Sequence, residues 1–332
     1  MRIFVTGGSG FLGTRMIPGL VSDGHEVFAL ARSASSDEKL RALGAMPVRG
    51  DLARPETLSL PSIDAVIHAA AHFRFAGPRA PYFLTNVTGT LALLKAAERV
   101  GAKTFVHLSA GGVIMDDQGS PVRNADESAP TFPNSFSGYI ASKSRGEAAV
   151  LAANKLGFRT IALRPSAIWG PGDPFSREIP RAIKSGRFAF FERGDYPFAT
   201  CHVDNVIEAV KCALERGAGG RAYFINDRET KTFREFIAAL ASLQELSVDG
   251  LRSISYRVAF TIGRLMEIGA SVIFSDRDPP LSRTMVRLIG REFTTSDAAA
   301  RSELGYIGRI SPVDGLGTYS TCRRQESDGV KL

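Results

Sequence analysis

The sequence predicts a protein of the α/β class, built on a doubly wound parallel sheet with a smaller, mostly helical lobe. In the first half of the chain, short β-branched or aromatic runs alternate with longer helical patterns, which is typical of stacked βαβ units. The short runs are continuously apolar, as expected for strands that are buried on both faces. A glycine-rich turn after the first run is the third observation, because it leads directly from a strand into a helix.

Six short runs are predicted to form strands, and four helical patterns connect them. The strands are expected at 2–6, 26–30, 46–48, 64–68, 103–108 and 159–164. The helices are expected at 11–22, 35–43, 80–100 and 138–156. Because crossovers between parallel strands are right-handed, this order predicts helices on both faces of one sheet.

The second half of the chain, after about residue 170, is predicted to form the smaller lobe. A turn cluster at 170–174 ends the regular alternation. Beyond it we expect helices at 176–185, 203–216 and 232–243, a late strand at 222–226, and three helical stretches within 251–304. The chain is thus divided into a sheet domain of residues 1–165, to which 200–230 returns, a lobe of 166–199 and 231–320, and a frayed tail at 321–332.

The composition is that of an ordinary globular protein. The 332 residues are 44% hydrophobic and 23% charged, which excludes a disordered chain. An excess of 41 Lys and Arg over 34 Asp and Glu gives a net charge of +7, which suits an anionic ligand, a nucleic acid or a membrane surface. No dense basic run or recognised module supports nucleic-acid binding, so we expect no nucleic-acid partner.

The cysteines and the apolar runs indicate a soluble cytoplasmic protein. Cys201, Cys212 and Cys322 form no C-x-x-C pair, so we expect reduced thiols and no metal site. The N-terminal apolar run is too short for a signal peptide. No run reaches the roughly 20 apolar residues of a membrane span. A basic amphipathic pattern at 252–274 leaves two interpretations open, contact with a membrane surface or packing on its own domain.

The turn with the sequence TGGSGFLG, at residues 6–13, joins the first strand to the first helix. Its glycines allow a tight turn, close approach of backbone N–H groups to a pyrophosphate, and close packing of helix on strand. The helix N-terminus adds a partial positive charge. We therefore interpret residues 1–165 as a dinucleotide-binding domain of the Rossmann type. The residues expected at the cofactor here are Gly7, Gly10, Phe11, Leu12 and Gly13.

Arg32 and Ser33 follow the second strand, where a protein that binds NAD usually has an acid for the ribose 2′-hydroxyl. No acid occurs between Val27 and Ser36. The guanidinium of Arg32 suits a 2′-phosphate instead, and the hydroxyl of Ser33 can add a hydrogen bond. The sequence therefore favours NADP as the cofactor, with NAD as the alternative.

Two further strand ends offer contacts to a cofactor. Asp51 follows the third strand, where its carboxylate can accept from an adenine amino group while Leu52 packs on the ring. Ala69 and Ala70 follow the fourth strand, and their small side chains let the backbone approach the cofactor. Ordinary loop chemistry is the alternative interpretation of both pairs.

Tyr139 and Lys143 lie four residues apart on the predicted helix 138–156 and so share one face of it. A nearby ammonium lowers the pKa of a phenol from its isolated value of about 10, which makes Tyr139 usable as an acid or base nearer neutral pH. Ser109 ends the fifth strand, at the same sheet edge as the glycine turn, where its hydroxyl can bind a substrate carbonyl. These three residues are the candidate catalytic set.

Together these motifs resemble the extended short-chain dehydrogenase/reductase family, also called the NAD-dependent epimerase/dehydratase superfamily. The resemblance is carried by the glycine turn, Ser109, the Tyr139–Lys143 pair and LRPSAIWGPG at 163–172. It covers about residues 1–245 clearly. Within the family, the branch of 3β-hydroxysteroid dehydrogenases and dihydroflavonol reductases is most similar, on VRGDL at 48–52, HVDNVIEA at 202–209 and GRAYFIND at 220–227.

The resemblance implies a role for each matching catalytic residue. Tyr139 is expected to be the general acid/base, Lys143 to modulate its pKa and bind the nicotinamide ribose, and Ser109 to orient the carbonyl. Many relatives have further hydroxyl residues beside the serine, whereas this chain has Leu108 before it and Ala110 after it. Ser109 is therefore the sole local candidate for the carbonyl donor.

The resemblance also implies roles for supporting residues. Asn86 is expected either to support a proton-relay water or merely to cap backbone. The backbone from Pro165 to Ile168 is expected to hold the nicotinamide carboxamide. His202 and Asp204 match a motif that tethers the substrate lobe, and we interpret them as structural.

The expected function is the interconversion of a secondary alcohol and a ketone, or reduction of an aldehyde, on a hydrophobic, ring-bearing small molecule, by a monomer or homodimer. Aromatic residues of the second half support this substrate class, although several can instead form the core of the lobe: Trp169, Phe175, Phe188, Phe190, Phe191, Tyr196 and Phe198. A nucleotide-sugar epimerase or dehydratase is the first alternative, disfavoured by Arg32. A non-catalytic dinucleotide sensor is the second, disfavoured by the Tyr139–Lys143 pair.

Overall fold

The computed structural model describes residues 1–272 and 278–327. Its strands are β1 Arg2–Thr6, β2 Glu26–Ala31, β3 Met46–Arg49, β4 Ala65–His68, β5 Thr104–Leu108, β6 Val122–Ala125, β7 Arg159–Pro165, β8 Ala167–Trp169, β9 Phe190–Phe191, β10 Pro197–Phe198, β11 Thr200–His202, β12 Arg221–Ile225, β13 Lys231–Thr232, β14 Ser253–Ile254 and β15 Phe293–Thr295. Its α-helices are α1 Phe11–Ser22, α2 Ala34–Ala42, α3 Arg79–Phe83, α4 Thr90–Arg99, α5 Gly138–Ala152, α6 Pro174–Lys184, α7 Val203–Glu215, α8 Phe233–Ser242, α9 Tyr256–Val272, α10 Arg283–Ile289 and α11 Pro312–Ser327.

Seven strands form one parallel sheet in the order β12-β7-β5-β4-β1-β2-β3. Phe4 of β1 pairs with Phe28 of β2 on one side and with Val66 of β4 on the other. The strand order changes direction between β1 and β4, and ligands of such sheets bind beyond the carboxyl ends of the strands at this point. The doubly wound α/β fold predicted from the sequence is confirmed. The late strand β12 pairs in parallel with β7, so it lies in the same sheet.

Helices cover both faces of the sheet. On one face, Met16 of α1 and Val206 of α7 pack with Ile3 of β1 in a core whose members are almost fully buried. On the other face, Leu93 of α4 and Val150 of α5 pack in a second core with Phe4 and Phe105. The continuously apolar strands predicted from the sequence therefore bury both of their faces, and α5 is fixed against the sheet.

The predicted helix at 80–100 is one continuous stretch that contains a π-type segment. Helix α3 passes directly into Leu84–Gly89, which has π-type hydrogen bonding, and this segment passes directly into α4. π-type turns inside α-helices occur frequently at functional sites. Asn86 lies in this segment and is buried.

A second, four-stranded sheet joins three strands of the predicted lobe, β10, β13 and β15, to β6, which lies within residues 1–165. Its order is β13-β10-β15-β6. Strands β14 and β15 lie within 251–304, where only helical stretches are predicted from the sequence, so that part of the prediction is wrong for both. For β15, the physical reason is that residues 293–295 (FTT) are good strand formers and pair with residues 122–125 of β6, which are distant in sequence.

The aromatic residues of the second half mostly form the core of this lobe. Five of them are buried, four in one cluster and Phe191 in a neighbouring one, and two more are partly buried. The buried residues are Trp169, Phe190, Phe191, Tyr196 and Phe198. The partly buried ones are Phe175 and Phe188. Of the two interpretations left open by the sequence, the structure therefore favours packing over a substrate-facing wall.

Helix α9 covers most of the amphipathic pattern at 252–274. Tyr256 and Ala259 are buried, whereas Val258 and Leu265 are exposed beside the exposed Arg257. Contact with a membrane surface stays a prediction, and residues 273–274 lie outside the described part of the chain. Within residues 1–272 and 278–327, no helix is long and apolar enough to cross a membrane.

The structure describes two of the three cysteines and most of the C-terminal segment. Cys201 and Cys212 carry free thiols, and the side chain of Cys322 lies outside the described part of the structure. Helix α11 continues to Ser327, into the segment predicted to be a frayed tail. The end of that segment, 328–332, lies outside the described residues.

Candidate active site

The glycine-rich turn lies at the carboxyl edge of the sheet, between β1 and α1. Gly7 has a φ of +76°, and a Cβ there would lie 2.8 Å from the Ala70 backbone nitrogen. A Cβ at Gly13 would overlap the backbone of Gly7, and Gly10 begins α1 without a side-chain cap. The first N–H groups of α1 are therefore not covered by side chains. A pyrophosphate can approach them closely. The next two helix residues are half-buried: Phe11 and Leu12.

The end of β2 carries the two residues predicted to recognise a 2′-phosphate. Arg32 is exposed. The Ser33 hydroxyl accepts from the Ser36 backbone N–H at 3.2 Å and so caps α2. The Lys39 ammonium donates to the Ser9 carbonyl at 2.9 Å, which places a second cation directly at the glycine turn. The sequence analysis missed Lys39, because its neighbour Ser9 is distant along the chain.

The residues after β3 and β4 make different kinds of contact. The Asp51 carboxylate accepts from the Ala53 backbone N–H at 3.0 Å, and Leu52 is 3% exposed within the core. These contacts match the alternative of ordinary loop chemistry, and a role at an adenine ring stays a prediction. Ala69 and Ala70 are half-buried with their backbone against the glycine turn.

Tyr139 and Lys143 lie on α5, as the sequence predicted, but their electrostatics differ from the expectation. Burial raises the pKa of Tyr139 to about 12. Burial lowers the pKa of Lys143 to about 8, and its ammonium donates to the Leu108 carbonyl at 2.6 Å. The expected lowering of the Tyr139 pKa by Lys143 is therefore wrong for the protein alone, because desolvation of the phenol dominates. Tyr139 is protonated at neutral pH.

Lys143 is supported by a buried ion pair on the next turn of α5. The Arg164 guanidinium donates to both carboxylate oxygens of Glu147, at 3.0 and 2.6 Å. Both side chains are at most 4% exposed. The Glu147 charge raises the pKa of Lys143 against the effect of burial. This pair joins β7 to α5, and no local sequence pattern predicts it.

Ser109 follows β5 and has no hydrogen-bond partner for its buried hydroxyl among the described residues. Its backbone N–H donates to the Leu163 carbonyl at 2.7 Å, which fixes its place beside β7. A buried, unpartnered hydroxyl at this edge is free to bind a substrate oxygen. Pro165 is the last residue of β7, and Ile168 lies in the next strand, β8. Both are therefore close in sequence to the carboxyl end of β7.

Asn86 connects the loop after β4 to α5. Its amide nitrogen donates to the Ser142 hydroxyl at 2.9 Å and to the His72 carbonyl at 3.0 Å. Its amide oxygen accepts from the His72 backbone N–H at 2.7 Å. Of the two roles left open by the sequence, the structure displays the capping of backbone.

An aromatic loop lies against the candidate acid. The Phe73 ring meets the Tyr139 ring edge-on, with the ring centroids 4.7 Å apart, and it is 47% exposed. The loop is tied to the smaller lobe by Asp278, whose carboxylate accepts from Arg74 and from the backbone N–H groups of Phe75 and Ala76. An exposed apolar ring therefore borders the candidate phenol of Tyr139.

His202 and Asp204 have structural partners, in agreement with their interpretation from the sequence. His202 is buried, and its ring accepts from the Asp204 backbone N–H. The Asp204 carboxylate binds Arg15 of α1. The buried Asp227 carboxylate accepts from the His202 backbone N–H and from the Trp169 indole.

Comparison with known proteins identifies relatives of this chain. Residues 3–225 match the model of the NAD dependent epimerase/dehydratase family. A ketoreductase of Stigmatella aurantiaca, named for 4-hydroxy-2-methyl-3-oxo-4-farnesyl-3,4-dihydroquinoline-1-oxide, is 39% identical, and the alignment covers 95% of each chain. A 3β-hydroxysteroid dehydrogenase/Δ5→4-isomerase of Mycobacterium tuberculosis is 30% identical, over 92% of this chain and 85% of its own.

A solved structure extends the comparison to the fold. UDP-glucose 4-epimerase of Thermotoga maritima, solved with UDP-glucose, has a TM-score of 0.76 at 21% identity and covers 98% of this chain and 100% of its own. The glycine cradle and the uncapped N-terminus of α1 fit the pyrophosphate of a nicotinamide dinucleotide. The chain therefore belongs to the NAD-dependent epimerase/dehydratase family of extended short-chain dehydrogenases/reductases, and it is a dehydrogenase/reductase that uses a nicotinamide cofactor.

Proposed function

We propose that the protein is an NADP-dependent oxidoreductase that interconverts a secondary alcohol and a ketone on a hydrophobic, ring-bearing substrate. One observation supports the proposal above the others. The chain combines the protonated phenol of Tyr139 and the unpartnered hydroxyl of Ser109 with a glycine cradle at the carboxyl edge of the sheet. The similarity to a ketoreductase and to a steroid dehydrogenase supports this reaction over other reactions of the family.

In the proposed mechanism, the bound cofactor supplies or accepts the hydride. Ser109 donates a hydrogen bond to the substrate oxygen and so stabilises the negative charge that develops there. Tyr139 gives its phenolic proton to the same oxygen in reduction and takes it back in oxidation. Its pKa, raised to about 12, keeps it protonated, as reduction requires. The Lys143 ammonium adds positive charge beside the phenolate that forms.

The preference for NADP rests on the charges around the end of β2. The exposed Arg32 and the Lys39 ammonium offer cations to a 2′-phosphate. The acid that follows in sequence, Asp37, is paired with Arg49 at 2.6 Å, so its charge is offset. A ribose 2′-hydroxyl would need a carboxylate at this strand end, whereas the chain has a guanidinium.

The substrate class is argued from the residues that border the phenol. Phe73 presents an exposed ring to Tyr139, with the ring centroids 4.7 Å apart. Apolar rings at a site favour an apolar substrate, because the burial of apolar surface is the main gain on binding.

The nucleotide-sugar alternative meets an obstacle in the loop after Ser109. A dehydratase needs a further acid/base pair near the serine, and the first carboxylates downstream are already engaged. Asp116 accepts from the Gly119 and Ser120 backbone N–H groups and pairs with Arg287. Asp117 accepts from the Ser135 hydroxyl. Both carboxylates therefore stabilise their own loops and are already hydrogen-bonded within the protein.

The test is an assay of NADPH oxidation with a 3-ketosteroid and with a 2-alkyl-3-oxo ester. Tyr139→Phe is expected to lower kcat by about a hundredfold or more, because it removes the proton donor while keeping the ring. The matched control is Tyr223→Phe, because Tyr223 lies on the outermost strand β12 and its hydroxyl donates to Glu303. Undiminished turnover by Tyr139→Phe would refute the mechanism.

The cofactor preference needs a separate measurement. We expect the wild-type protein to bind NADPH more tightly than NADH, and Arg32→Asp to weaken NADPH binding by about tenfold to a hundredfold, as the loss of a charge-assisted contact predicts. Quenching of cofactor fluorescence measures both affinities. Equal affinities in the wild-type protein would contradict the role of Arg32.

A further inference from the structure

A buried histidine, His68 at the end of β4, lies between the glycine turn and the catalytic helix. Its Nδ1 is 2.7 Å from the Thr6 hydroxyl, and its Nε2 is 2.9 Å from the Thr90 hydroxyl. The Ala70 backbone N–H donates to the Thr6 hydroxyl at 3.1 Å, and the Thr90 hydroxyl donates to the Asn86 carbonyl at 2.8 Å. These four bonds form an unbroken chain.

The chain has one consistent direction. A carbonyl only accepts, so the Thr90 proton points to Asn86, and the Thr90 oxygen must accept from His68 Nε2–H. Burial, with a smaller effect of Lys143, lowers the pKa of His68 to about 3, so the ring is neutral at working pH. Nδ1 is then an acceptor, and the Thr6 hydroxyl donates to it.

The near end of the chain lies at the cofactor cradle. The Ala69–Ala70 backbone packs so closely on Gly7 that a Cβ at Gly7 would lie 2.8 Å from the Ala70 nitrogen. Because Thr6 holds that same nitrogen, the position of its hydroxyl sets how this backbone meets the turn. A shift of Thr6 would change the cradle itself.

The far end of the chain lies on the helix that carries Tyr139 and Lys143. The Asn86 carbonyl packs directly on Gly146 of α5, where a Cβ would overlap it. The Asn86 amide also donates to the Ser142 hydroxyl, one residue before Lys143. Asn86 belongs to the π-type segment, so the Thr90 hydroxyl is a bond that holds this irregular backbone against α5.

We propose that His68 is a positioning residue that fixes the glycine turn through Thr6 and the catalytic helix through Thr90. The inference rests on the proposed function, in which the turn binds NADP and α5 carries the proton donor. A second buried histidine, in the neighbouring strand β5, makes no such bonds and so provides a comparison within the same protein. His107 packs beside His68 with the ring centroids 5.0 Å apart, and neither of its ring nitrogens has a partner among the described residues.

The experiment separates the two halves of the chain. Asn places its amide oxygen near the position of Nδ1, so His68→Asn keeps the acceptor for Thr6 and loses Thr90. Gln reaches the position of Nε2, so His68→Gln keeps the donor for Thr90 and loses Thr6. The cofactor Kd is measured by NADPH fluorescence, and kcat is measured with the 3-ketosteroid probe.

We expect His68→Asn to keep the NADPH Kd within about twofold and to lower kcat by about tenfold, as the loss of one buried hydrogen bond predicts. His68→Gln is expected to raise the Kd by about tenfold and to keep kcat within about threefold. Near-isosteric Thr6→Val and Thr90→Val should reproduce the Gln and Asn patterns respectively. His107→Phe removes no side-chain hydrogen bond, so we expect it to change neither Kd nor kcat selectively.

The outcomes distinguish this inference from the proposed function. If the wild-type protein neither binds NADPH nor reduces a ketone, the proposed function fails. If the wild-type protein does both, but the His68 and threonine variants change Kd and kcat by equal factors or leave both unchanged, His68 has no positioning role. A variant that does not fold, judged by circular dichroism, is replaced by the threonine variant of the same half.

Discussion

The buried Arg164–Glu147 pair offers the most quantitative prediction. Glu147→Gln removes the negative charge but keeps a side chain of nearly the same size. The Arg164 guanidinium then stays buried, at 4% exposure, without its counter-charge. Breaking one side of a buried ion pair costs about 3–5 kcal/mol. A Gln oxygen can still accept one of the two hydrogen bonds, so we expect a loss near the lower limit, about 3 kcal/mol.

The same change has a consequence for the pH dependence of the reaction. Burial holds the pKa of Lys143 at about 8, and the Glu147 charge raises it against that effect. Without this charge, the pKa falls further, and the ammonium loses its proton at a lower pH. The alkaline limb of kcat, expected near pH 8 in the wild-type protein, should therefore move towards acid in Glu147→Gln.

Two measurements check this reasoning. Urea denaturation gives the free energy of unfolding, and kcat is followed with NADPH from pH 6 to about 10, the range in which a lysine of lowered pKa titrates. The matched control is the double variant Glu147→Met with Arg164→Met, which removes both charges and should cost less than the single change. A Glu147→Gln protein that unfolds like the wild type, or whose alkaline limb moves to higher pH, would contradict the proposed electrostatic role of Glu147.

Three further predictions concern other parts of the molecule. Gly7→Ala places a Cβ 2.8 Å from the Ala70 nitrogen at a φ of +76°; we expect a loss of about 1–3 kcal/mol in thermal unfolding and abolished NADPH binding, whereas retained binding would contradict the close cradle. Burial and neighbouring charges lower the pKa of His107 well below that of an unfolded histidine, so the unfolded chain binds more protons as the pH falls below about 6.5. Stability should then fall by up to about 1.4 kcal/mol per pH unit for this group, and His107→Phe should flatten that slope in acid denaturation. For α9, the membrane interpretation predicts that Arg257→Glu combined with Arg264→Glu reduces co-sedimentation with phosphatidylglycerol vesicles relative to phosphatidylcholine vesicles; unchanged binding would leave packing on its own domain as the role of the helix.

The elements of the sheet could be predicted from the sequence because each signal is local. The continuously apolar run at 103–108 and the glycine turn at 6–13 need only their own residues to be recognised. The same holds for Tyr139 and Lys143, which one helical turn brings to the same face. Strand β15 could not be predicted in this way, because it exists through pairing with β6, far away in the sequence.

The environment of the site was much less predictable than its residues. The Tyr139 pKa depends on how deeply the phenol is buried, and the sequence indicated only the nearby ammonium. The hydrogen bonds of His68 reach Thr6, 62 positions away, and Thr90, 22 positions away. No local sequence pattern therefore predicts them. The aromatic residues of the second half illustrate the same limit, since composition supplies rings without saying whether they face a substrate or each other.

The π-type segment at Leu84–Gly89 also constrains how this helix can change in length. Each residue of an α-helix turns the chain by about 100°. Deleting one residue from the segment would restore regular α-helical bonding and rotate α3 by about that angle relative to α4. Tyr82 would then leave the Arg74 carbonyl to which it donates, and Arg79 would leave the Ser135 carbonyl. The additional residue in each π-type turn therefore sets the rotation of α3 relative to α4. A single-residue deletion here should be far less tolerated than one in a surface loop.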